Sequence, residues 1–405
     1  MLRDYAAALR GFSTNARLYL ATSALVGFST GLLYLLFNLY VLSLGYDQTF
    51  VALLASLPAC VTAAAAVPAG ILVPRLGFRR ALLIGLAVYA VAQLAWVLFP
   101  TRPILVVACV VSGLGNVLLS VVASPLMVAS SSVETRTHLF GVQFALNTFA
   151  SVIASLLGGQ LTRLLGGGSG TSAGYRGVLL VATCVSLFAF IPIVRLRGMA
   201  PVARTARPPR GHWRPFQPIL VKLLAIQLVG ALGAGMTMPF LNVFFRLRFH
   251  VSDATLGLLF AASSLLTGFA GIASPWVAGR LGKVRAVVLT QALSIPLLLA
   301  MGLVPVFGAS AGSFLVRTAL MNMSSPVFAA YAMGIVPAGV RPIAASLLML
   351  AWNSGWAISA WASGYVQVSA GFTPLFAITA GFYTASIVLT HMAFRRLAEL
   401  PDAAA

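Results

Sequence analysis

A single arginine, Arg317, interrupts the apolar stretch SFLVRTALMNMSSPVFAAYAMGIV, residues 313–336. A guanidinium inside such a segment is costly, about 2.5–3.5 kcal/mol on membrane-insertion scales, unless its charge is compensated. Three interpretations fit this pattern. The side chain snorkels to the nearer membrane surface, it is a structural hydrogen-bond hub, or it binds a carboxylate or phosphate group, for which the planar guanidinium is suited.

Neutral polar side chains recur in this and the other apolar stretches, several of them at four-residue intervals. A spacing of four places two side chains on the same face of a helix. We interpret these residues as candidates to line a polar binding site; the alternative is hydrogen bonding between helices, a common role of polar side chains in membranes. The candidates are Tyr34 and Asn38, Asn116 and Ser120, Asn147 in the stripe Gln143–Asn147–Ser151–Ser155, and the asparagines Asn242, Asn322 and Asn353.

Acidic residues are few, and all six lie in predicted loops, tails or helix ends: Asp4, Asp47, Glu134, Asp253, Glu399 and Asp402. Proton relays in membrane pumps are usually built from buried Asp, Glu or His. Proton coupling would therefore have to use a rim group such as Asp47 or Glu134. The sequence has no HExxH motif, no paired buried carboxylates and no nucleophile beside a histidine. We therefore expect no catalytic site, no cofactor and no metal site.

The composition indicates a membrane protein: 60% of the 405 residues are hydrophobic and 8% are charged, against about 25% charged in soluble proteins. A helix needs about 20 apolar residues to cross a bilayer. Twelve segments of about this length predict an all-α polytopic membrane protein with twelve transmembrane helices. They lie at about 18–42, 49–73, 81–99, 104–131, 139–165, 177–195, 218–245, 254–279, 286–304, 310–336, 342–368 and 373–394.

The basic residues are distributed unevenly between the loops. With the N-terminus in the cytoplasm, 20 of the 26 lysine and arginine residues fall on the inside and five on the outside, Arg317 being the remaining one. The positive-inside rule then places both termini in the cytoplasm. The net charge of +20 therefore reflects topology and contact with lipids, not nucleic acid. We expect a cell-membrane protein whose partners are membrane lipids and a small molecule, and which is a monomer.

The polar segment 195–217 divides the twelve apolar segments six and six, which predicts a six-helix bundle at 1–194, a basic cytoplasmic linker and a second bundle at 218–405. The halves share landmarks in the same order, so the bundles are expected to be pseudo-symmetric. Two such bundles with a site between them are the architecture of alternating-access transporters. The matched landmarks are Asp47/Asp253, Arg75/Arg280, Ser124-Pro125/Ser325-Pro326, Asn147/Asn353 and Gly158/Gly364.

A motif between the second and third segments reads GILVPRLGFRRALL, residues 70–83, and a weaker copy, AGRLGKVRAVVL, follows the eighth segment. It resembles the loop signature of the major facilitator superfamily, G-x-L-a-D-r-x-G-r-k. The resemblance implies a secondary transporter that rocks two halves around a cavity lined by spans one, four, seven and ten. The residues that match are Gly70, Arg75, Gly77, Arg79 and Arg80, with Arg280 and Gly282 in the second copy.

The chain departs from this pattern where the signature has its aspartate, which falls at Pro74 and at Gly279. Glu134 is the only acid in a short predicted inside loop, and we expect it to pair with an arginine of the motif or with Arg136. The alternative is a solvated charge worth about 0–1 kcal/mol. Arg341 is placed at the same cytoplasmic gate.

The sequence predicts a transporter of a small organic solute, anionic or amphipathic. Span five lacks the Gly-Pro pair of the superfamily's proton-driven drug antiporters, which weakens the alternative of a proton-coupled drug or metabolite efflux pump. A non-transporting receptor or scaffold on the same fold is the other alternative, because the missing loop aspartates could reflect decay. A membrane-embedded enzyme is the most remote class.

Overall fold

The structure is a computed structural model that describes residues 12–167, 170–197, 216–337 and 341–395. Within these ranges the chain is helical apart from short connections, and it contains no β-strand. The first six helices are α1 (Thr14–Ser43), α2 (Gln48–Leu76), α3 (Phe78–Leu98), α4 (Arg102–Ala129), α5 (Val133–Gly166) and α6, composed of α6a (Ser172–Phe188) and α6b (Phe190–Val194). The next six are α7, composed of α7a (Gln217–Thr237) and α7b (Leu241–Phe249), α8 (Asp253–Leu281), α9 (Lys283–Leu303), α10 (Phe307–Gly334), α11 (Arg341–Ala370) and α12 (Thr373–Phe394).

The predicted segments are confirmed as helices, and so is the all-α fold class. Eleven helices in the described ranges are long and apolar enough to cross a membrane. Helix α10 is not among the eleven, because polar residues such as Arg317 and Asn322 lower its mean hydropathy.

Side-chain caps explain why α1 and α5 begin before the predicted apolar segments. The Ser13 hydroxyl oxygen accepts the N–H of Ala16 at 3.2 Å. Ser132 Oγ accepts the N–H of Thr135 at 3.3 Å, and Thr135 Oγ1 accepts the N–H of Ser132 at 3.1 Å. Such a reciprocal capping box satisfies N–H groups that a helix start leaves open. Polar residues therefore extend both helices beyond the limits set by hydropathy.

The chain forms two compact units, and each includes the beginning of one helix from the other half of the sequence. The predicted boundaries at 194 and 218 stay a prediction, since most of the predicted linker lies outside the described residues. Unit 1 comprises Met1–Tyr46, Ala64–Thr205 and His250–Ala261. Unit 2 comprises Asp47–Ala63, Ala206–Phe249 and Ala262–Ala405.

In unit 1, glycines let helices α3 and α4 approach closely. A Cβ on Gly115 would lie 2.7 Å from the carbonyl oxygen of Gly85 and 2.7 Å from the backbone nitrogen of Tyr89. A larger residue would therefore force the helix backbones apart. Helix α1 packs against α5 and α6 in the same unit. Part of the apolar core is formed by Phe12, Tyr19, Leu82, Leu126, Leu139 and Ile193.

In unit 2, α7a packs against α11 and α12, and α9 packs against α10. A Cβ on Gly235 would lie 2.6 Å from the carbonyl oxygen of Trp356, and one on Gly355 would lie 2.8 Å from that of Leu228. Helices α7a and α11 therefore meet backbone to backbone. The following helix, α7b, carries Phe244, whose ring centroid lies 4.8 Å from that of Phe376 in an aromatic cluster.

The connections α2–α3 and α8–α9 share one backbone conformation. Gly77 has φ 79° and ψ 152°, and Gly282 has φ 80° and ψ 148°. Both pairs of angles lie in a region that is open essentially only to glycine. The N–H of Gly77 bonds to the Val73 carbonyl at 2.9 Å, as the N–H of Gly282 does to the Ala278 carbonyl at 2.9 Å. The repeated RLG sequence therefore forms a repeated turn.

Candidate functional site around Arg317

Arg317 lies on α10 and is only 2% exposed. Its Nη1 donates to the Met238 sulfur at 2.9 Å, and its Nη2 donates to the Tyr383 hydroxyl at 3.2 Å. The guanidinium carbon also lies 5.5 Å from the centroid of the Tyr383 ring. Its Nε is buried and has no hydrogen-bond partner among the described residues. The side chain is therefore held inside unit 2 and does not reach an outer surface, which does not fit the snorkelling interpretation.

Met238 reaches the arginine because helix α7 is interrupted there. A short 3-10 turn, Met238–Phe240, separates α7a from α7b. Pro239 lies in this turn and has no N–H, so it cannot complete the α-helical hydrogen-bond ladder. Interrupted helices at membrane depth are found where backbone lines a site or is buried in protein.

Tyr383 reaches the arginine because α12 is joined tightly to α7a. Thr379, one turn before Tyr383, donates to the Gly233 carbonyl oxygen at 3.2 Å, and a second contact joins it to the Thr237 hydroxyl at 3.5 Å. A Cβ on Gly233 would lie 3.0 Å from the Tyr383 ring, so a glycine allows this close approach. The arginine thus lies where α7, α10 and α12 meet.

In the described part of the chain, the charge of Arg317 has only neutral partners. Arginine remains protonated in proteins, a phenol hydroxyl is uncharged, and a thioether sulfur is a weak acceptor. Of the two carboxylates whose side chains are described, Asp47 accepts the N–H of Phe50 at 3.0 Å at the start of α2, and Asp253 accepts from Tyr175 in unit 1. A buried charge without a counter-charge costs several kcal/mol. The geometry fits a structural hub or an anion-binding group.

A sequence model of the Major Facilitator Superfamily matches residues 19–225, about half of the chain. The chain belongs to the major facilitator superfamily. It is therefore an integral multi-pass membrane protein, as its apolar helices indicate. No curated protein matches the sequence.

Solved structures of superfamily transporters share the fold along nearly the whole chain. A bacterial homologue of the human lysosomal transporter Spinster, inward-facing and occupied, has a TM-score of 0.76 at 14% identity, covering 96% of this chain and 98% of that one. The nucleoside transporter NupG has a TM-score of 0.73 at 15% identity, covering 95% and 100%. A D-xylose–proton symporter has a TM-score of 0.74 at 12% identity, covering 95% and 98%. Because the identities are only 12–15%, these similarities establish a shared fold and not a shared solute.

The residues of the superfamily loop signature lie at the turns already described. A Cβ on Gly70 would meet nothing within 4 Å. The Arg280 guanidinium carbon lies 4.0 Å above the Trp276 ring centroid. Four signature arginines have exposed side chains, namely Arg75, Arg79, Arg80 and Arg280.

The predicted superfamily latch at Glu134 stays a prediction, because the side chain of Glu134 lies outside the described part of the chain. Arg136, two residues on, has a buried Nε with no hydrogen-bond partner among the described residues. Arg341 donates from Nε to the Val336 carbonyl oxygen at 3.2 Å. Of the residues predicted for the cytoplasmic gate, the arginines are therefore described, whereas the side chain of the one acidic residue, Glu134, is not.

The asparagines of unit 2 do not join the arginine site. Asn242 Oδ1 accepts the N–H of the next residue at 2.9 Å. Asn322 Nδ2 donates to the Thr318 carbonyl at 2.8 Å, and Asn353 Nδ2 donates to the Met349 carbonyl at 2.8 Å. Each of these bonds is to the backbone of the same helix, and Arg317 donates to none of the three asparagines.

Among the unit 1 candidates, the α5 stripe links two helices. Ser23 on α1 donates to Asn147 Oδ1 at 3.2 Å and accepts from Gln143 Nε2 at 3.3 Å. A Cβ on Gly27 would lie 2.7 Å from Asn147 Oδ1. The structure thus shows hydrogen bonds between helices at Asn147, the alternative that the sequence left open for this stripe.

The remaining unit 1 candidates differ in exposure. Tyr34 is 52% exposed and Asn38 is 8% exposed. The Tyr34 ring lies edge-on to Phe260, with centroids 6.3 Å apart. Asn116 and Ser120 on α4 are exposed, and the Ser120 hydroxyl donates to the carbonyl oxygen of its own helix at 3.0 Å. Their role in solute binding stays a prediction.

Sequence reasoning did not anticipate the partners of Arg317 or the burial of Asp253. Asp253 begins α8, as predicted, but it is completely buried. Its Oδ1 accepts the Tyr175 hydroxyl proton at 2.8 Å, and its Oδ2 accepts the N–H of Gly170 at 2.9 Å. A position at a helix end therefore did not imply exposure.

Pro239 within an apolar segment was the available signal for the interruption of α7.

Proposed function

We propose that this protein is a secondary transporter that moves a small organic solute across the cell membrane by alternating access. Membership of the superfamily and a fold shared with transporters along 95–96% of the chain support the proposal. The observation that carries it is a permanent buried charge, Arg317, beside the interrupted helix α7. Helix interruptions of this kind form solute sites in secondary transporters.

Flux through the reconstituted protein tests this proposal. The purified chain is first screened by thermal shift against metabolites, lipids and drugs, and each stabilising compound is then assayed as a labelled solute in proteoliposomes. We expect at least one stabilising solute to show saturable uptake above protein-free vesicles. If compounds bind saturably and none is transported, the transporter proposal is wrong.

The absence of the signature aspartate at Pro74 and Gly279 favours a second candidate, a non-transporting receptor or scaffold on the same fold. The loop charge that the superfamily signature supplies is missing from both copies. Binding without flux in the same experiment is the result expected of such a protein.

The proposed orientation places both termini and residues 195–217 in the cytoplasm, since the positive-inside rule relates short basic loops to that side. In a variant whose three cysteines, Cys60, Cys109 and Cys184, are replaced by serine, we introduce Arg207→Cys. An impermeant maleimide should not label it in intact cells and should label it after permeabilisation.

Arg102→Cys, made in the same background, is the matched control. Arg102 is exposed at the start of α4, in a loop that the charge distribution places outside. It should be labelled in intact cells. The reverse pattern at the two positions would overturn the proposed orientation.

A further inference from the structure

Two arginines of unit 2 are held in different ways. Arg248 donates from Nη1 to the Gly302 carbonyl oxygen at 2.8 Å and from Nη2 to that of Leu303 at 3.3 Å. These carbonyls end α9 and carry the partial negative charge of a helix C-terminus. Arg248 is therefore a structural arginine whose charge is matched. Arg317 is more deeply buried, yet its partners are a sulfur and a phenol.

The Nε edge of the Arg317 guanidinium has the donor arrangement that a carboxylate requires. A carboxylate binds guanidinium through two parallel N–H···O bonds, and the Nε–H together with one Nη–H forms one such edge. The Nε of Arg317 is buried and has no partner in the described part of the chain. The Nη2 that shares this edge with Nε donates to a neutral phenol, the Tyr383 hydroxyl, and Nη1, on the other side of the guanidinium, contacts the Met238 thioether, a weak acceptor.

Met238 is suited to act as a displaceable cover. A methionine side chain is unbranched and flexible, so it can change conformation with little cost. It lies in the short turn that interrupts α7, next to the guanidinium. Met238 is therefore the more flexible of the two side chains that accept from the guanidinium.

The charge balance selects the class of ligand. The site has one guanidinium and no described carboxylate, so one negative charge neutralises it. A second negative charge would be buried without compensation, at a further cost of several kcal/mol. Resting on the proposed transport function, we propose that Arg317 is the receptor for the carboxylate of a small organic monoanion, and that the transported solute belongs to this class.

Binding to the purified full-length protein tests the site apart from transport. The probes are sodium acetate and sodium benzoate, their neutral isosteres acetamide and benzamide, and inorganic phosphate, each titrated at constant ionic strength with thermal unfolding as the readout. We expect saturable stabilisation by acetate or benzoate and none by the amides. A larger effect of phosphate than of either carboxylate, or no saturable effect of either carboxylate, would overturn the assignment.

Variants locate the binding site. Arg317→Lys keeps the charge but loses the planar fork, and we expect carboxylate affinity to fall at least about tenfold, as for one charge-assisted hydrogen bond. Arg317→Met should remove saturable stabilisation. Arg248→Lys is the matched control and should bind as the wild type does. Equal stabilisation of the wild type and Arg317→Met would show a general salt effect and refute the site.

The outcomes separate the site from the proposed function. Carboxylate binding that depends on Arg317, without flux of any carboxylate, supports the receptor and contradicts the transporter. Saturable flux of a neutral solute that is unchanged in Arg317→Met supports the transporter and contradicts the receptor.

Discussion

The double variant Arg317→Met/Tyr383→Phe should unfold at a higher temperature than the wild-type protein when no anion is present. The wild type buries a guanidinium whose partners are neutral. Replacing buried charged groups with apolar residues of similar volume often stabilises a protein by about 1–4 kcal/mol. Phenylalanine at 383 is included because the Tyr383 hydroxyl would otherwise lose its partner, which costs about 1–3 kcal/mol. Thermal unfolding of the purified protein in detergent or nanodiscs measures the change.

Arg248→Met is the control for this prediction. It removes a guanidinium that is matched by the carbonyl oxygens of Gly302 and Leu303, so it should lower the unfolding temperature. If the double variant at Arg317 is also destabilised, the guanidinium is a structural hub. The unpaired charge then does not destabilise the anion-free protein, which contradicts the premise of the anion-binding assignment. The sign of the change therefore distinguishes the two interpretations.

Gly159→Ala should destabilise unit 1 by about 1–3 kcal/mol, the usual cost of overpacking. Gly159 on α5 faces the first turn of α8, where an added Cβ would clash with the carbonyl oxygen of Asp253 and lie 3.0 Å from Ala254 Cα. Both obstacles are backbone atoms, so no side-chain rotation relieves them. The first turn of α8 must shift, and the bond from Tyr175 to Asp253 should weaken with it.

A double-mutant cycle with Tyr175→Phe measures this coupling. The two effects should be less than additive, because Gly159→Ala already weakens the bond that Tyr175→Phe removes. Gly381→Ala on α12 is the control, since a Cβ there meets nothing within 4 Å and alanine is the better helix former by about 0.5–1 kcal/mol. Equal stability of the Gly159 and Gly381 variants would contradict the close packing.

The fold could be predicted because segments that cross a membrane differ in composition from the loops between them. A run of apolar residues specifies a helix, and an arginine-bearing loop specifies a side of the membrane. The helix ends were less predictable, since Ser13 and Ser132 extend helices through side-chain caps. The repeat matched Gly158 with Gly364, whereas Gly159 is the residue that faces the start of α8. Repeat spacing identified the helix but not which of two adjacent glycines faces the start of α8.

The candidate site was predicted in part. Composition showed that Arg317 lies deep within an apolar helix, and this is what made it a candidate. Its partners could not be predicted, because the direction of a side chain depends on the rotation of the helix and on neighbours far away in sequence. Met238 is separated from Arg317 by 79 residues and Tyr383 by 66. A tyrosine and a methionine in apolar segments also carry no signal that separates them from core residues.

The turns at Gly77 and Gly282 show that the loop signature contains two kinds of glycine with different tolerance of substitution. At both positions an added Cβ would meet nothing within 4 Å, yet the backbone angles are nearly closed to other residues. Replacement is therefore opposed by torsional strain and not by crowding. Gly70 is helical and has equally open surroundings, so it carries no such restriction. The chain therefore makes the same turn in both halves although both copies of the signature lack the aspartate. The torsion angles of one glycine in each copy, Gly77 or Gly282, set the direction of the turn.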